Sequence, residues 1–167
     1  MTNILRYLGQ IVVLAVAALI VGYFSTSPAY RSLPEGKAMI KLSFAHSGER
    51  VEDCRTRTDA EMADQAPNMR RRRDCPRERV PLVIDLTMDG ELLHHSILEP
   101  TGLSRDLPAN VYETFVVSTG AHSLTLRLRD SRRTEGYDYE QQFDIELKPA
   151  QNLAIDFEAR TGGFLIR

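Results

Sequence analysis

The chain has 167 residues, of which 43% are hydrophobic and 26% are charged, and its net charge is −2. This composition is typical of a folded protein and argues against intrinsic disorder. Residues after position 35 include 19 of the 21 basic and 22 of the 23 acidic side chains, so this region lacks the basic surplus of a nucleic-acid-binding domain.

The first segment is an uncharged apolar run. Residues 7–24 read YLGQIVVLAVAALIVGYF, a length just above the ~17 residues that a helix needs to cross the hydrocarbon core of a membrane. Tyr7 at one end, and Tyr23 with Phe24 at the other, are typical of the two membrane interfaces. We therefore predict a signal-anchor helix over residues 7–24, preceded by a cytoplasmic tail of residues 1–6.

Two alternatives to the anchor remain. A buried helix of a globular protein would have a polar face, which residues 11–22 lack. A cleaved signal peptide would use Arg6 as its basic start and the small-residue sequence at positions 27–29 as its cleavage site.

Orientation follows from the flanking segments. Basic residues after the run outnumber Arg6 before it, and this count alone favours the reverse orientation. The short N-terminal tail and the exported character of the rest of the chain favour the opposite arrangement. We expect a single pass through a bacterial inner membrane, with the C-terminal domain in the periplasm.

The segment after the helix is a predicted linker. Residues 25–37 contain two prolines and a glycine and have no apolar periodicity. Fully extended, such a segment reaches about 40 Å. It leads to a predicted domain over residues 38–167.

Apolar and polar residues alternate through most of this domain, which predicts strands. Asp89-Gly90 between two such segments favours a tight hairpin turn. Seven or eight short strands without long amphipathic helices indicate an all-β, antiparallel two-sheet sandwich. The predicted strands cover residues 40–44, 82–87, 92–98, 111–117, 124–129, 137–147, 153–158 and 164–166.

One short string adds a resemblance. Residues 120–126 read GAHSLTL, which resembles the G-x-H-x-L-x-L start of a strand in many immunoglobulin-like and carbohydrate-associated sandwich modules. The resemblance covers fewer than ten residues. It implies an immunoglobulin-like or fibronectin-like fold and carries no function.

An insert at about residues 48–79 interrupts the alternation. Thr58 and Glu61 have the spacing of a capping box, which predicts a short helix that ends near Gln65, before Pro67. Cys54 and Cys75 enclose this insert and, in an exported domain, predict a disulfide bond. The alternative is a reactive or metal-binding pair, although the spacing matches neither C-x-x-C nor a zinc site.

The insert also contains four consecutive arginines, and a second basic cluster follows residue 126. Such runs are commonly solvated, and nearby acidic residues can neutralise them. If they act, guanidinium groups suit carboxylates. We expect docking of an acidic partner surface by Arg70, Arg71, Arg72, Arg73, Arg132 and Arg133.

Candidates for catalysis or metal binding are sparse. No nucleophile elbow, phosphate loop or HExxH string is present. His94 and His95 are adjacent on a strand and face opposite ways, so they cannot share a metal. His46 and His122, together with several methionines, leave a copper or redox carrier as an alternative.

Sugar binding is a second alternative. Carbohydrate-binding sandwiches usually present an aromatic platform, but this chain has no tryptophan. Its alternation places Tyr137 and Tyr139 on the buried face of their strand. The sequence thus favours a non-enzymatic, membrane-anchored accessory, assembly or protein-interaction module of an envelope complex. We expect no cofactor, no metal and no nucleic-acid partner.

Overall fold

The computed structural model describes residues 2–26 and 33–167. The chain divides into two compact units, residues 1–34 and residues 35–167. Of the predicted linker, residues 27–32 lie outside the described part.

The first unit contains one long helix, α1 (Thr2–Thr26). It includes the predicted segment 7–24, and helical structure begins earlier, at Thr2. The stretch Asn3–Ser25 is long and apolar enough to cross a membrane, and its side chains are exposed throughout.

The second unit is built from strands, as the alternation predicted. In the described part of this unit the strands are β1 (Lys37–His46), β2 (Arg55–Thr56), β3 (Arg73–Asp74), β4 (Leu82–Met88), β5 (Glu91–Leu98), β6 (Ala109–Ser118), β7 (Gly120–Arg129), β8 (Tyr139–Leu147), β9 (Asn152–Glu158) and β10 (Gly163–Ile166).

Eight of these strands form two four-stranded sheets. Sheet I has the order β10-β9-β1-β6 and sheet II the order β5-β4-β7-β8, while β2 and β3 pair with each other. The predicted two-sheet architecture is therefore confirmed.

One strand pair differs from the antiparallel prediction. β9 runs parallel to β1, with Ile40 opposite Leu153 and Leu42 opposite Ile155. Such a pair needs a long connection between its two strands, and here strands of both sheets lie between them in sequence. Alternation shows which face of a strand is buried but carries no information on strand direction, so the sequence could not reveal this pair.

The core lies between the two sheets and takes alternate residues from each strand. Fully buried side chains include Ile40, Leu42 and Ile155 from sheet I, and Leu86 and Leu126 from sheet II. Burying one such side chain contributes about 1.5–3 kcal/mol. Phe44, Phe157 and Phe164 form an aromatic cluster on the sheet I side, with ring centroids 5.0–6.3 Å apart.

Two glycines fulfil specific backbone requirements. Gly90 (φ 85°) follows Asp89 (φ 54°) in the β4–β5 turn, and this pair of positive φ angles confirms the predicted tight hairpin. Gly48 lies where β1 leads into the insert, and a Cβ atom there would lie 2.4 Å from the carbonyl oxygen of Val80. Any other residue would push the two ends of the insert apart.

The insert contains little regular structure. The short helix α2 (Asp59–Ala63) begins with the predicted capping box, in which the backbone N–H of Thr58 donates to the Glu61 carboxylate over 2.7 Å. It ends slightly before the predicted Gln65 and buries no residue. A 3₁₀ turn follows at Pro67–Met69.

Candidate functional site

Main-chain hydrogen bonds tie together the two ends of the insert. The backbone N–H of Val80 donates to the carbonyl of Glu49, and that of Val51 donates to the carbonyl of Glu78. The guanidinium of Arg79 crosses this base and donates to the carbonyl of Gly48 over 2.8 Å. The insert is therefore fixed to the end of the sandwich where β1 ends and β4 begins.

A disulfide bond and a two-residue strand pair hold the middle of the insert. Cys54 and Cys75 are bonded, as predicted, and their Cα atoms lie 4.1 Å apart. Directly beside them, Arg55 of β2 pairs with Asp74 of β3, and Thr56 pairs with Arg73. The disulfide thus brings the arginines that follow Cys54 next to those that precede Cys75.

This arrangement creates a basic recess, which we call the arginine recess. Its volume is about 390 Å³. Five guanidinium groups and one carboxylate line it, so the lining carries a surplus of positive charge. The lining residues are Arg50, Arg57, Arg71, Arg73, Asp74, Cys75 and Arg77.

The carboxylate in the recess is already held by arginines. Asp74 Oδ2 lies 3.1 Å from Nη2 of Arg57 and 3.2 Å from Nη2 of Arg55, and it also accepts from Nε of Arg57. Arg50 donates to the carbonyl of Pro76 over 2.9 Å. Arg71 and Arg73 form no ion pair within the described part of the chain.

The four consecutive arginines divide into two pairs. Arg71 and Arg73 line the recess. Arg72, between them in the sequence, lies 3.8 Å from the carboxylate of Asp59. Arg70, which precedes them, donates from Nε to the carbonyl of Gln65 over 3.1 Å. Alternate side chains of this segment therefore have different surroundings, and the run is not one uniform surface.

Arg132 and Arg133 lie outside the recess lining. Arg132 donates to Asp53 over 2.9 Å and to Glu49 over 3.3 Å, and these two carboxylates raise its guanidinium pKa. Arg133 Nε lies 3.0 Å from Asp138. Arg132 thus connects the loop between β7 and β8 to the insert, and Arg133 holds that loop together.

Sequence reasoning missed three recess arginines: Arg50, Arg57 and Arg77. Isolated arginines are common on surfaces, so Arg50 and Arg57 did not stand out, and Arg77 was noted only as an arginine that follows the run of four. The available signal was their position beside the cysteines, since Arg57 closely follows Cys54 and Arg77 closely follows Cys75. The disulfide bond brings together the segments that carry these arginines.

The histidines do not come together. Each of three pairs with its own aspartate: His46 with Asp130 at 2.7 Å, His95 with Asp85 at 2.5 Å, and His122 with Asp89 at 2.7 Å. His94 packs against the ring of Phe115. Across residues 2–26 and 33–167, no three His, Cys, Asp or Glu side chains are grouped as a metal site would require.

One histidine has the neighbours of a catalytic triad but a different geometry. His122 Nδ1 contacts Asp89, and its Nε2 lies 3.5 Å from Ser118 Oγ but only 3.2 Å from the Ser118 carbonyl oxygen. A separation of 3.5 Å lies at the outer limit of a hydrogen bond, and the nearer neighbour of Nε2 is the backbone carbonyl. This arrangement connects the end of β6 to the β4–β5 turn.

The outer face of sheet II has a row of paired polar side chains. Asp85 accepts a hydrogen bond from the Tyr137 hydroxyl, and this bond, together with burial, raises the pKa of Tyr137. Arg127 lies 5.8 Å from the centroid of the Tyr137 ring and donates to Glu140 over 2.9 Å. The prediction that Tyr137 lies on the buried face is wrong, because β8 begins only at Tyr139, which does contact the core.

No protein-family model matches this chain, and the curated proteins contain no match to it.

Proposed function

We propose that this chain is a non-enzymatic, membrane-anchored accessory or assembly module of a bacterial envelope complex. In this proposal α1 spans the inner membrane once, and an immunoglobulin-like or fibronectin-like sandwich lies in the periplasm. The arginine recess docks an acidic surface of another envelope protein. The surplus of guanidinium groups in that recess is the observation that supports this function.

The chemistry of the recess favours carboxylates. A planar guanidinium offers two parallel N–H donors that match a carboxylate. Inside the recess, Asp74 shows that these arginines bind a carboxylate, since guanidinium groups from Arg55 and Arg57 both contact its Oδ2. A partner carboxylate would find the same kind of donors on Arg71 and Arg73.

The docking role can be tested by affinity purification of the full chain from membranes solubilised in mild detergents. We expect the unmodified chain to recover a specific membrane protein, and the double variant Arg71→Gln with Arg73→Gln to lose most of it. Surface ion pairs weaken as salt rises, so recovery should also fall between low and high ionic strength.

The chain itself provides a matched control. The double variant Arg70→Gln with Arg72→Gln removes the same charge from the same four-residue run but leaves the recess lining intact. It should recover the partner nearly as well as the unmodified chain. Equal losses from both double variants, or recovery of the chain alone in every detergent, would count against the proposal.

A further inference from the structure

We infer that the arginine recess accepts an extended acidic segment of the partner, with carboxylates at alternate residues. This inference rests on the proposed function and specifies the ligand of the same site. Its evidence is the size of the recess, the spacing of its arginines and the contacts of its one carboxylate.

The size of the recess limits what can enter. Its volume of about 390 Å³ lies near the lower end of ligand pockets. Two turns of an α-helix with side chains, ~11 Å wide and ~11 Å long, occupy on the order of 1,000 Å³. A whole helix is therefore too large to enter, and a ligand enters the recess through its side chains.

The spacing of the arginines matches an extended ligand. Arg71 and Arg73 both line the recess, while Arg72 between them pairs with Asp59. Two residues along any chain span at most about 7 Å. In an extended peptide, alternate side chains face the same way and recur every ~6.6 Å. Carboxylates at alternate positions of the ligand therefore recur at about the spacing of the two backbone positions that carry Arg71 and Arg73.

The charge of the recess also favours a segment with several carboxylates. Of the five lining arginines, Arg57 pairs with Asp74 and Arg77 lies 3.8 Å from Asp106. Arg50, Arg71 and Arg73 form no ion pair in the described part of the chain, so a single ligand carboxylate would leave most of this surplus unpaired. A segment with several carboxylates would neutralise it. The internal Asp74 also places a negative charge in the lining, which disfavours a compact, multiply charged anion close to it.

Synthetic peptides titrated into the detergent-solubilised full chain test this inference. One peptide has glutamates at alternate positions in a serine background, and a second has the same composition with its glutamates at every fourth position. We expect the alternating peptide to bind roughly tenfold more tightly, about the effect of one charge-assisted hydrogen bond. The Arg71→Gln, Arg73→Gln variant should lose this preference, and the Arg70→Gln, Arg72→Gln variant should keep it.

Three outcomes would overturn the inference. Equal affinity for the two peptides would show that bulk charge alone acts. Equal effects of the two double variants would show that the recess is not the site. Tighter binding of inorganic pyrophosphate, with displacement of the alternating peptide, would assign the recess to phosphoryl groups.

The affinity purification separates failure of this inference from failure of the proposed function. Suppose that the peptides show no preference, but that the Arg71→Gln, Arg73→Gln variant loses the membrane partner while the Arg70→Gln, Arg72→Gln variant keeps it. The docking function then stands, and only the extended-segment ligand is wrong. If that variant retains the partner, the docking function itself fails.

Discussion

Individual carboxylates hold many arginines of this domain in place. Glu49 and Asp53 hold Arg132, and Glu140 holds Arg127. Exposed pairs of this kind contribute only about 0–1 kcal/mol each, so they orient side chains more than they stabilise the fold. The arginine recess is different because its guanidinium groups outnumber its carboxylates.

Glu61 gives a prediction at the scale of one residue. Hydrogen bonds from Arg55 and from the backbone and hydroxyl of Thr58 lower its pKa from 4.5 to about 2. A lowered carboxyl pKa stabilises the folded state above pH 4.5, and this contribution is lost as the pH falls towards about 2. We expect NMR titration to show that Glu61 is still ionised at about pH 3.5, where an ordinary glutamate is mostly protonated.

The Arg55→Gln variant tests the cause of this lowered pKa. It removes the largest contribution, so the pKa of Glu61 should rise towards its ordinary value. Arg70→Gln, on the same insert but without contact to Glu61, should leave the titration unchanged. An ordinary pKa for Glu61 in the unmodified chain would contradict the capping-box geometry.

Among the elements, the insert is the one that adds almost nothing to the core. Helix α2 has no buried residue, and β2 and β3 are mostly exposed. The order of the insert therefore depends on its hydrogen-bonded base and on the disulfide. We therefore expect changes of charge in the insert to have little effect on the stability of the sandwich.

The stability of the insert can be tested by comparing two variants. Cys54→Ser removes a bond across 21 residues, which should cost about 3 kcal/mol in the loop-entropy description. Replacing all four of Arg70, Arg71, Arg72 and Arg73 by glutamine should cost no more than about 0.5 kcal/mol per site, because these side chains are exposed.

Chemical denaturation followed by circular dichroism measures both effects. Cys54→Ser should also weaken peptide binding, since Arg57 and Arg73 lie beside the bond. A large loss of stability from the arginine replacements, with none from Cys54→Ser, would show instead that the insert is part of the core.

At the scale of the whole molecule, one apolar helix and one sandwich occur in a single chain. In the proposed orientation the sandwich lies in the periplasm. A periplasmic domain keeps the bond between Cys54 and Cys75, because that compartment is oxidising. We therefore expect a membrane-impermeant thiol reagent to label neither cysteine in intact cells, and denatured protein to be labelled only after reduction.

The control for this labelling is a Cys75→Ser variant, which leaves Cys54 without its bonding partner. Cys54 should then react with the impermeant reagent in intact cells. If it reacts only after the membrane is permeabilised, and both cysteines of the unmodified chain react without reductant, the domain lies in the cytoplasm. Loss of residues 7–24 from the mature protein would instead identify a cleaved signal peptide.

Local chemistry determined much of this protein directly from the sequence. Periodicity and turn propensity depend on neighbouring residues alone. They predicted the apolar helix α1, the strand positions and the Asp89-Gly90 turn. The capping box at Thr58 and Glu61 is equally local. The pairing of Cys54 with Cys75 followed from there being only two cysteines in the chain.

Only the tertiary structure decided how distant segments meet. Periodicity gives the buried face of a strand but not its neighbours, so the parallel pairing of β9 with β1 was hidden. Arg132 pairs with the insert because β7 and β1 both finish at the same end of the sandwich. The disulfide likewise brings the segments of Arg50, Arg57 and Arg77 together with that of Arg71 and Arg73, although the sequence keeps them apart.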